Sequence, residues 1–303
     1  MRLLHTISLN LVEFIEDIPR ARYAILSHTW GEDEVSFRDL TYDIERSKKG
    51  WRKITNACEY AASRGWEYIW IDTCCIDKSD PTELSLAINS MFRWYEASGV
   101  CYAYLSDVMS PATVSNRSRV SWFRADEFDA FSRSRWFRRG WTLQELLAPD
   151  VLEFLYEDWT PIASREDMAS EMQKGTGITS DHLANFRMCS LATKLSWAAN
   201  RETTRVEDRS YSLLGLLGVH MPLIYGEGEN AFVRLQHELI RKYNDESIFV
   251  WDGEIGTERG VPVGELRSGS CLFPVLTSNP QRVADESLSP TTLRIRSKIL
   301  QVS

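Results

Sequence analysis

Short apolar runs alternate with segments of helical periodicity along the first half of the chain. The apolar runs predict four buried strands, at residues 23–26, 68–76, 100–105 and 151–155. Helical spacing of apolar residues predicts helices over 48–65, 80–99 and about 128–149, the second of them with Asp80 as its N-cap. This order of elements predicts an α/β domain with a parallel sheet flanked by helices.

Polar residues follow these predicted strands directly. They form the clusters Ser27–Gly31, Asp72–Asp77 and Ser106–Asp107. Ligands bind at the carboxyl ends of the strands in open parallel sheets, so these clusters are candidates for a pocket. Adjacent strand residues point to opposite faces, which counts against Ser27 and His28 acting as a nucleophile pair.

Each candidate pocket residue also has a structural interpretation. Ser27 and His28 either donate hydrogen bonds to a ribose or phosphate, or cap the end of a strand. Trp30 either walls the pocket or packs. Asp72 lies in the apolar run at residues 68–76, where a buried carboxylate needs a partner. Asp72 is therefore either a site residue or half of an ion pair with Arg139.

The remaining segments complete the predicted organisation. Residues 1–20 are expected to form a short leader packed on the body, and residues 109–120 an exposed loop. After residue 165, helices are predicted at 166–174, 191–200 and 229–243, with short strands at 248–251 and 293–295. We therefore predict an α/β core over 1–165, a helical extension over 166–246 and a short β-rich segment over 247–303. The sequence leaves open whether further domains follow Ser303.

Composition excludes several classes of protein. With 303 residues, 43% hydrophobic and 26% charged, the chain is typical of soluble globular proteins. A net charge of −8 argues against general binding to nucleic acid. The six cysteines include no Cys-x-x-Cys pair and the five histidines are scattered, so no metal site is predicted. We find no signal peptide and no apolar run of membrane-spanning length, and we expect a cytoplasmic protein without a membrane segment.

One pair of residues suggests chemistry. Trp141 and Glu145 stand four positions apart in a predicted helix, so their side chains share a face. An indole beside a carboxylate is suited to stacking a flat cationic ring and acting on an adjacent bond. The alternative is a core tryptophan beside a solvated helix carboxylate. A cysteine hydrolase built on Cys75 and His28 is a weaker alternative to a buried, inert thiol.

Three blocks of the sequence resemble a known family. They are SHTWG at 27–31, WIDTCCID at 70–77 and WFRRGWTLQELLAP at 136–149, and they are similar to the signature blocks of the fungal heterokaryon incompatibility (HET) domain. The segment that begins RETTRVEDRSYSLLG at residue 201 also resembles the one that commonly follows the HET core. The resemblance covers roughly residues 1–255. It implies a role in nonself recognition and cell death in filamentous fungi.

The HET core is in turn distantly similar to TIR domains, which have a flavodoxin-like fold. Enzymatic TIR domains cleave NAD at the nicotinamide–ribose bond with a helical glutamate, and plant-type members carry it in a W-C-L-x-E-L pattern. Residues 141–146 match that pattern except for Thr142 at the cysteine position. The resemblance therefore implies an NAD glycohydrolase with Glu145 as its catalytic residue.

The strand-end clusters and the Trp141–Glu145 pair predict a set of binding residues, and the resemblance implies the partners. The substrate-binding residues would be Ser27, His28, Trp30, Gly31, Asp72, Arg139 and Trp141. NAD would be a substrate rather than a retained cofactor, and no metal is expected. We expect activation by self-association into a homo-oligomer, with an upstream receptor or sensor protein as a further partner. The alternative is a non-enzymatic death-signalling module that works by oligomerisation or by recruiting partners.

Overall fold

The computed structural model describes residues 1–14, 22–42, 47–111, 125–245 and 247, and within it a seven-stranded sheet flanked by helices. The strands are β1 (Arg2–His5), β2 (Leu11–Glu13), β3 (Ala24–His28), β4 (Tyr68–Trp70), β5 (Val100–Tyr104), β6 (Leu152–Leu155) and β7 (Pro161–Ser164). The expected α/β class is confirmed.

The strands lie in the order β2-β1-β4-β3-β5-β6-β7. The four central strands, β4, β3, β5 and β6, run parallel, whereas β1, β2 and β7 pair antiparallel at the two edges. All residues of β3 and most of β5 are buried, as expected for strands covered on both faces. Numbered along the chain, the parallel strands have the order 2-1-3-4, with which the flavodoxin-like sheet also begins.

Two edge regions differ from the sequence prediction. Residues 1–13 are not a leader but the hairpin of β1 and β2, which extends the sheet beyond β4. The strand β7 was also not predicted. These strands have only three or four residues each, too few for an alternating pattern to stand out.

The predicted strand over 68–76 is wrong in its second half. The strand ends at Trp70, and Asp72–Cys75 forms the short helix α3, in which the Cys75 amide donates to the carbonyl of Ile71 at 2.8 Å. A short, fully apolar run does not distinguish a buried strand from a buried helical turn. The change places Asp72 at the start of a helix beside the end of β3.

Three further helices flank this part of the sheet: α1 (Phe37–Thr41), α2 (Gly50–Ser63) and α4 (Pro81–Ala97). The helices α2 and α4 confirm the predictions over 48–65 and 80–99, whereas α1 was not predicted. The turn after α2 places Gly65 at φ +85°, a conformation that favours glycine. Asp80 caps α4 as predicted, accepting hydrogen bonds from the amides of Thr82 and Glu83.

The continuous helix predicted up to Pro149 is wrong. Three short helices replace it: α5 (Ala125–Ser132), α6 (Arg135–Arg138) and α7 (Thr142–Leu147). The chain is extended at Arg139, where the amide of Gly140 donates to the carbonyl of Glu202 at 2.8 Å and the amide of Glu202 donates to that of Arg138 at 2.6 Å. Pairing with a distant segment interrupts the helix, and local periodicity carries no record of such pairing.

The extension is helical, as predicted. Its helices are α8 (Ala169–Thr176), α9 (Ser180–Asn185), α10 (Leu191–Ser196), α11 (Asp208–Tyr211) and α12 (Asn230–Lys242), with a 3₁₀ turn at Phe186–Met188. The strands predicted at 248–251 and 293–295 and most of the loop predicted at 109–120 lie outside the described residues. Among the described residues, every helix is too short or too polar to cross a bilayer.

Candidate functional site

A cavity of about 320 Å³ opens at the carboxyl end of β3, between α3, α4 and α7. Six of the eight predicted site residues line it: His28, Trp30, Asp72, Arg139, Trp141 and Glu145. In the strand order of the sheet, β3 and β5 flank the point where the connections reverse direction, which is where open α/β sheets bind ligands. The cavity therefore lies where the topology predicts a site.

Glu145 is the buried acid of this cavity. It lies in the first turn of α7, only 7% exposed, and it accepts a hydrogen bond from the Ser27 hydroxyl. Burial raises the pKa of Glu145 to about 7, although the Ser27 hydroxyl and Arg139 favour its charged form. The carboxyl therefore changes its charge in the physiological range, as suits a group that acts on a reacting centre.

Ser27 supports Glu145 from behind instead of lining the cavity. Its hydroxyl accepts a hydrogen bond from Trp136 Nε1 at 2.7 Å and donates one to the Glu145 carboxylate. Trp136 is fully buried against Phe154 of β6. These two hydrogen bonds fix the Glu145 side chain from the core. Ser27 therefore has a supporting role in place of the predicted contact with a substrate.

His28 faces the cavity with both ring nitrogens unsatisfied. Among the described residues neither nitrogen has a hydrogen-bond partner, and Nε2 lies 3.8 Å from Oδ1 of Asp72. Burial and the Lys53 ammonium lower the pKa of His28 to about 4, so the ring is neutral at pH 7. Buried polar atoms without partners are rare in proteins, which makes this ring a candidate contact for a ligand.

Asp72 is paired with Lys78 and not with the Arg139 that the sequence suggested. Its carboxylate accepts from Trp30 Nε1 at 2.9 Å and lies 3.6 Å from Lys78 Nζ. Burial acts to raise the pKa of Asp72, but Lys78, His28 and Arg139 together lower it. Asp72 is therefore an ionised anchor for Trp30 at the rim of the cavity.

Trp30 stands at the mouth between two cations. Lys78 Nζ lies 3.6 Å from the centre of the indole ring, and the guanidinium carbon of Arg139 lies 5.1 Å from it. The side chain is 43% exposed although it is held by Asp72. An exposed, fixed aromatic face with flanking cations is suited to an anionic ligand that carries flat rings.

The extension supplies a wall of the cavity that the sequence did not predict. It consists of Glu202, Thr203, Thr204, Arg205, Asp208 and Tyr225. Tyr225 donates to Asp208 at 3.0 Å, and the Arg205 guanidinium lies 4.4 Å from the Tyr225 ring. This polar run lacks periodicity, and only its resemblance to the segment that follows HET cores marked it as informative.

The chain is similar to proteins of one known family. The model of the heterokaryon incompatibility protein (HET) family matches residues 23–145. The chain is 42% identical over 247 residues to the vegetative incompatibility protein HET-E-1 of Podospora anserina. The chain belongs to the HET family. The match covers 79% of this chain but 18% of that relative. No solved structure matches the chain significantly.

Two candidates lie outside the cavity of this HET chain. The amide of Gly31 donates to Oε1 of Glu34 at 2.6 Å, which closes an exposed turn beside the mouth. Cys75 is buried in α3, where its sulfur accepts from the amide of Ile71 at 3.4 Å. Among the described residues that line the cavity there is no cysteine, so the arrangement gives no support to a cysteine hydrolase.

Exchanging His28 for phenylalanine separates a binding role from a packing role. The ring volume is kept while two unsatisfied polar atoms are removed, so we expect unchanged or higher thermal stability. If His28 contacts the NAD that the resemblance implies as substrate, KM for NAD rises about tenfold, equivalent to one lost hydrogen bond.

His182 provides the matched control. Its Nδ1 is also buried and finds no partner among the residues that the structure describes, and its ring packs near Trp197, away from the cavity. Steady-state kinetics and thermal unfolding of His28→Phe and His182→Phe give the comparison. Equal KM values in the two variants would exclude the proposed contact.

Proposed function

We propose that this HET chain is an NAD glycohydrolase that cleaves the bond between nicotinamide and ribose. The observation that carries the proposal is Glu145, a buried carboxyl whose pKa burial raises to about 7, in a cavity at the carboxyl end of a parallel sheet. The neutral His28 ring and the aromatic side chains of Trp30 and Trp141 line the same cavity. We also propose that the core is TIR-like, and the 2-1-3-4 order of its parallel strands supports this.

The chemistry requires little more than one well-placed carboxylate. Breaking the N-glycosidic bond builds oxocarbenium character on the ribose, which an adjacent carboxylate stabilises. Nicotinamide leaves as a neutral molecule, so no strong general acid is needed. Glu145 in its ionised form stabilises the ribose cation. Water then adds to this cation to give the hydroxyl of ADP-ribose, and its second proton is released to solvent.

The cavity dimensions suit one half of the substrate. About 320 Å³ lies at the lower end of the range for small-molecule pockets, so the nicotinamide riboside half enters and the remainder extends past the mouth. Trp141 packs on the nicotinamide ring, and His28 bonds a ribose hydroxyl. The diphosphate meets Arg139, Lys78 and Arg205 at the mouth, close to Trp30.

Incubating the purified protein with NAD tests the proposal directly. Chromatography should show nicotinamide and ADP-ribose, or a cyclic form of it, appearing together as NAD disappears. Absence of nicotinamide at any protein concentration would reject the activity. A range of concentrations also tests the proposed activation by self-association, because specific activity then rises as the oligomer forms.

We place this activity in fungal cell death upon nonself recognition, in the cytoplasm, downstream of a receptor or sensor protein. The support is the family and the relative from Podospora anserina, whose name describes vegetative incompatibility. Cytoplasmic NAD is then the substrate whose depletion kills the cell.

The pH dependence of the reaction follows from Glu145. Since the ionised carboxylate is the active form and its pKa is about 7, kcat/KM rises about tenfold per pH unit below 7 and levels off above it. His28, with a pKa of about 4, stays neutral over this range. Initial rates between pH 5.5 and 8.5 measure the profile. An activity that falls as the pH rises through 7 would instead make the protonated carboxyl the active form.

A further inference from the structure

The extension is attached to the core just before α7, the helix that carries Glu145. Two backbone hydrogen bonds join Glu202 to the end of α6 at Arg138 and to Gly140. The residue that precedes this attachment is Arg201, which is only 7% exposed. The extension therefore delivers a buried cation to the base of the helix that carries Glu145.

The Arg201 guanidinium binds the turn that leads into α7. Its Nη1 donates to the carbonyl of Arg139 at 2.9 Å and to Oγ1 of Thr142 at 3.0 Å, while its Nε donates to the carbonyl of Trp197 at 3.2 Å. The Thr142 hydroxyl donates in turn to the carbonyl of Arg139 at 2.9 Å. One side chain thus fixes both ends of the turn that brings Arg139 and Trp141 into the cavity.

The charge of Arg201 also acts on Glu145. Burial, the larger influence, lowers the pKa of Arg201 to about 9, whereas Glu145 raises it. The guanidinium is therefore protonated at pH 7, and its Nη2 has no hydrogen-bond partner among the described residues. Because the attraction between two charges is mutual, Arg201 favours the ionised form of Glu145.

The other titratable groups around Glu145 set the background for this effect. They are Asp72 from α3, Tyr95 from α4, Cys101 from β5 and the cation of Arg139, with His28 of β3 lining the same cavity. Burial raises the pKa of Tyr95 and of Cys101, so both are neutral near pH 7. Asp72 opposes ionisation of Glu145, and Arg139 favours it.

We propose that Arg201 is a positioning residue for the NAD cleavage, which it serves by fixing the 139–142 turn and by supplying a buried positive charge that favours the ionised form of Glu145. The proposal rests on the catalytic role proposed for Glu145. The extension then contributes to the site directly, because Arg201 supplies a charge and hydrogen bonds that the core alone does not contain.

The variant Arg201→Met removes the charge and the three hydrogen bonds but keeps the length of the side chain. We expect kcat at pH 7 to fall about tenfold with a smaller change in KM, and the midpoint of the pH profile to rise. Arg201→Lys should show the same changes to a lesser degree, because a buried lysine loses its charge more readily than arginine. Arg209→Met, at an exposed position in α11, is the matched control and should behave as wild type.

Direct titration of the Glu145 carboxyl provides a measurement that does not depend on any substrate. Carbon-13 NMR of glutamate carboxyls, with the Glu145 signal assigned by its loss in Glu145→Gln, gives the midpoint in each protein. A higher midpoint in Arg201→Met, and a smaller rise in Arg201→Lys, support the proposal. An unchanged midpoint overturns it, and Arg201→Lys decides by the same criterion if Arg201→Met does not fold. Wild-type protein that leaves NAD intact rejects the proposed activity, yet the comparison of midpoints is still readable.

Discussion

Replacing Glu145 by glutamine is expected to abolish NAD cleavage and, at the same time, to stabilise the protein at pH 8. The ionised carboxylate is lost, and removing one preorganised group of this kind lowers kcat by about 10²- to 10³-fold. The exposed Glu59 of α2 provides a matched control, because Glu59→Gln makes the same chemical change far from the cavity. Release of nicotinamide from NAD measures the activity of both variants.

The stability effect has a defined direction with pH. Burial raises the pKa of Glu145 from 4.5 to about 7, so folding favours the protonated carboxyl. Its contribution to stability is present below pH 4.5 and is lost as the pH rises through 7. A pKa difference of roughly two and a half units corresponds to about 3 kcal/mol in the free energy of unfolding. The wild type loses this contribution at high pH, whereas the glutamine variant does not.

Thermal unfolding at pH 5 and pH 8 tests this linkage. The melting temperature of Glu145→Gln should exceed that of wild type by several degrees at pH 8 and by much less at pH 5. An equal difference at both pH values would show that Glu145 is not titrating in the folded state.

Cell death induced by the chain distinguishes the enzyme from a non-enzymatic signalling module. If the chain acts as an enzyme, Glu145→Gln, which we expect to fold stably, no longer kills cells. Full toxicity of a variant that does not cleave NAD would instead favour signalling by oligomerisation or by recruitment of partners.

Gly140→Ala is expected to separate the extension from the core by overpacking. A methyl group at residue 140 would lie 2.5 Å from Cγ2 of Thr203, closer than carbon atoms approach. Thr203 does not rotate away freely, because its hydroxyl donates to the carbonyl of Arg205 at 2.6 Å. We expect a loss of about 1–3 kcal/mol in the free energy of unfolding, together with reduced NAD cleavage.

The second substitution Thr203→Ser makes this prediction specific. Serine keeps the hydroxyl that bonds Arg205 and lacks the methyl group that clashes. The double variant should therefore recover most of the lost stability, which denaturant unfolding measures. If Thr203→Ser gives no recovery, the loss in Gly140→Ala arises from something other than this contact.

Local signals in the sequence account for much of the core. Asp80 begins α4 as predicted, and Gly65 follows the end of α2, because caps and left-handed turns depend on neighbouring residues only. The Trp141–Glu145 pair could also be predicted from the sequence, and both side chains line the cavity from one end of α7. In each of these cases the physical cause lies within a few residues of its effect.

Contacts between distant segments account for what the sequence did not reveal. The break in the helix at Arg139 depends on backbone pairing with Glu202. The hydrogen bonds that support Glu145 run from Trp136 through Ser27, which lies on the distant strand β3. The partner of Asp72 is Lys78 because the chain turns into α3 instead of continuing as a strand. Periodicity and motif spacing do not encode such pairings, so Arg201 and the wall around Asp208 became visible only in the folded chain.

The attachment at Glu202 has a consequence for how such a module is moved between proteins. The segment matched by the family model ends at Glu145, whereas the cavity needs side chains as far along the chain as Tyr225. A fusion or transplant that ends at the family boundary would contain the Glu145 carboxylate but would lose Arg201 and the polar wall of the cavity. The portable unit is therefore the core together with the segment that binds it, and a transplanted module needs both.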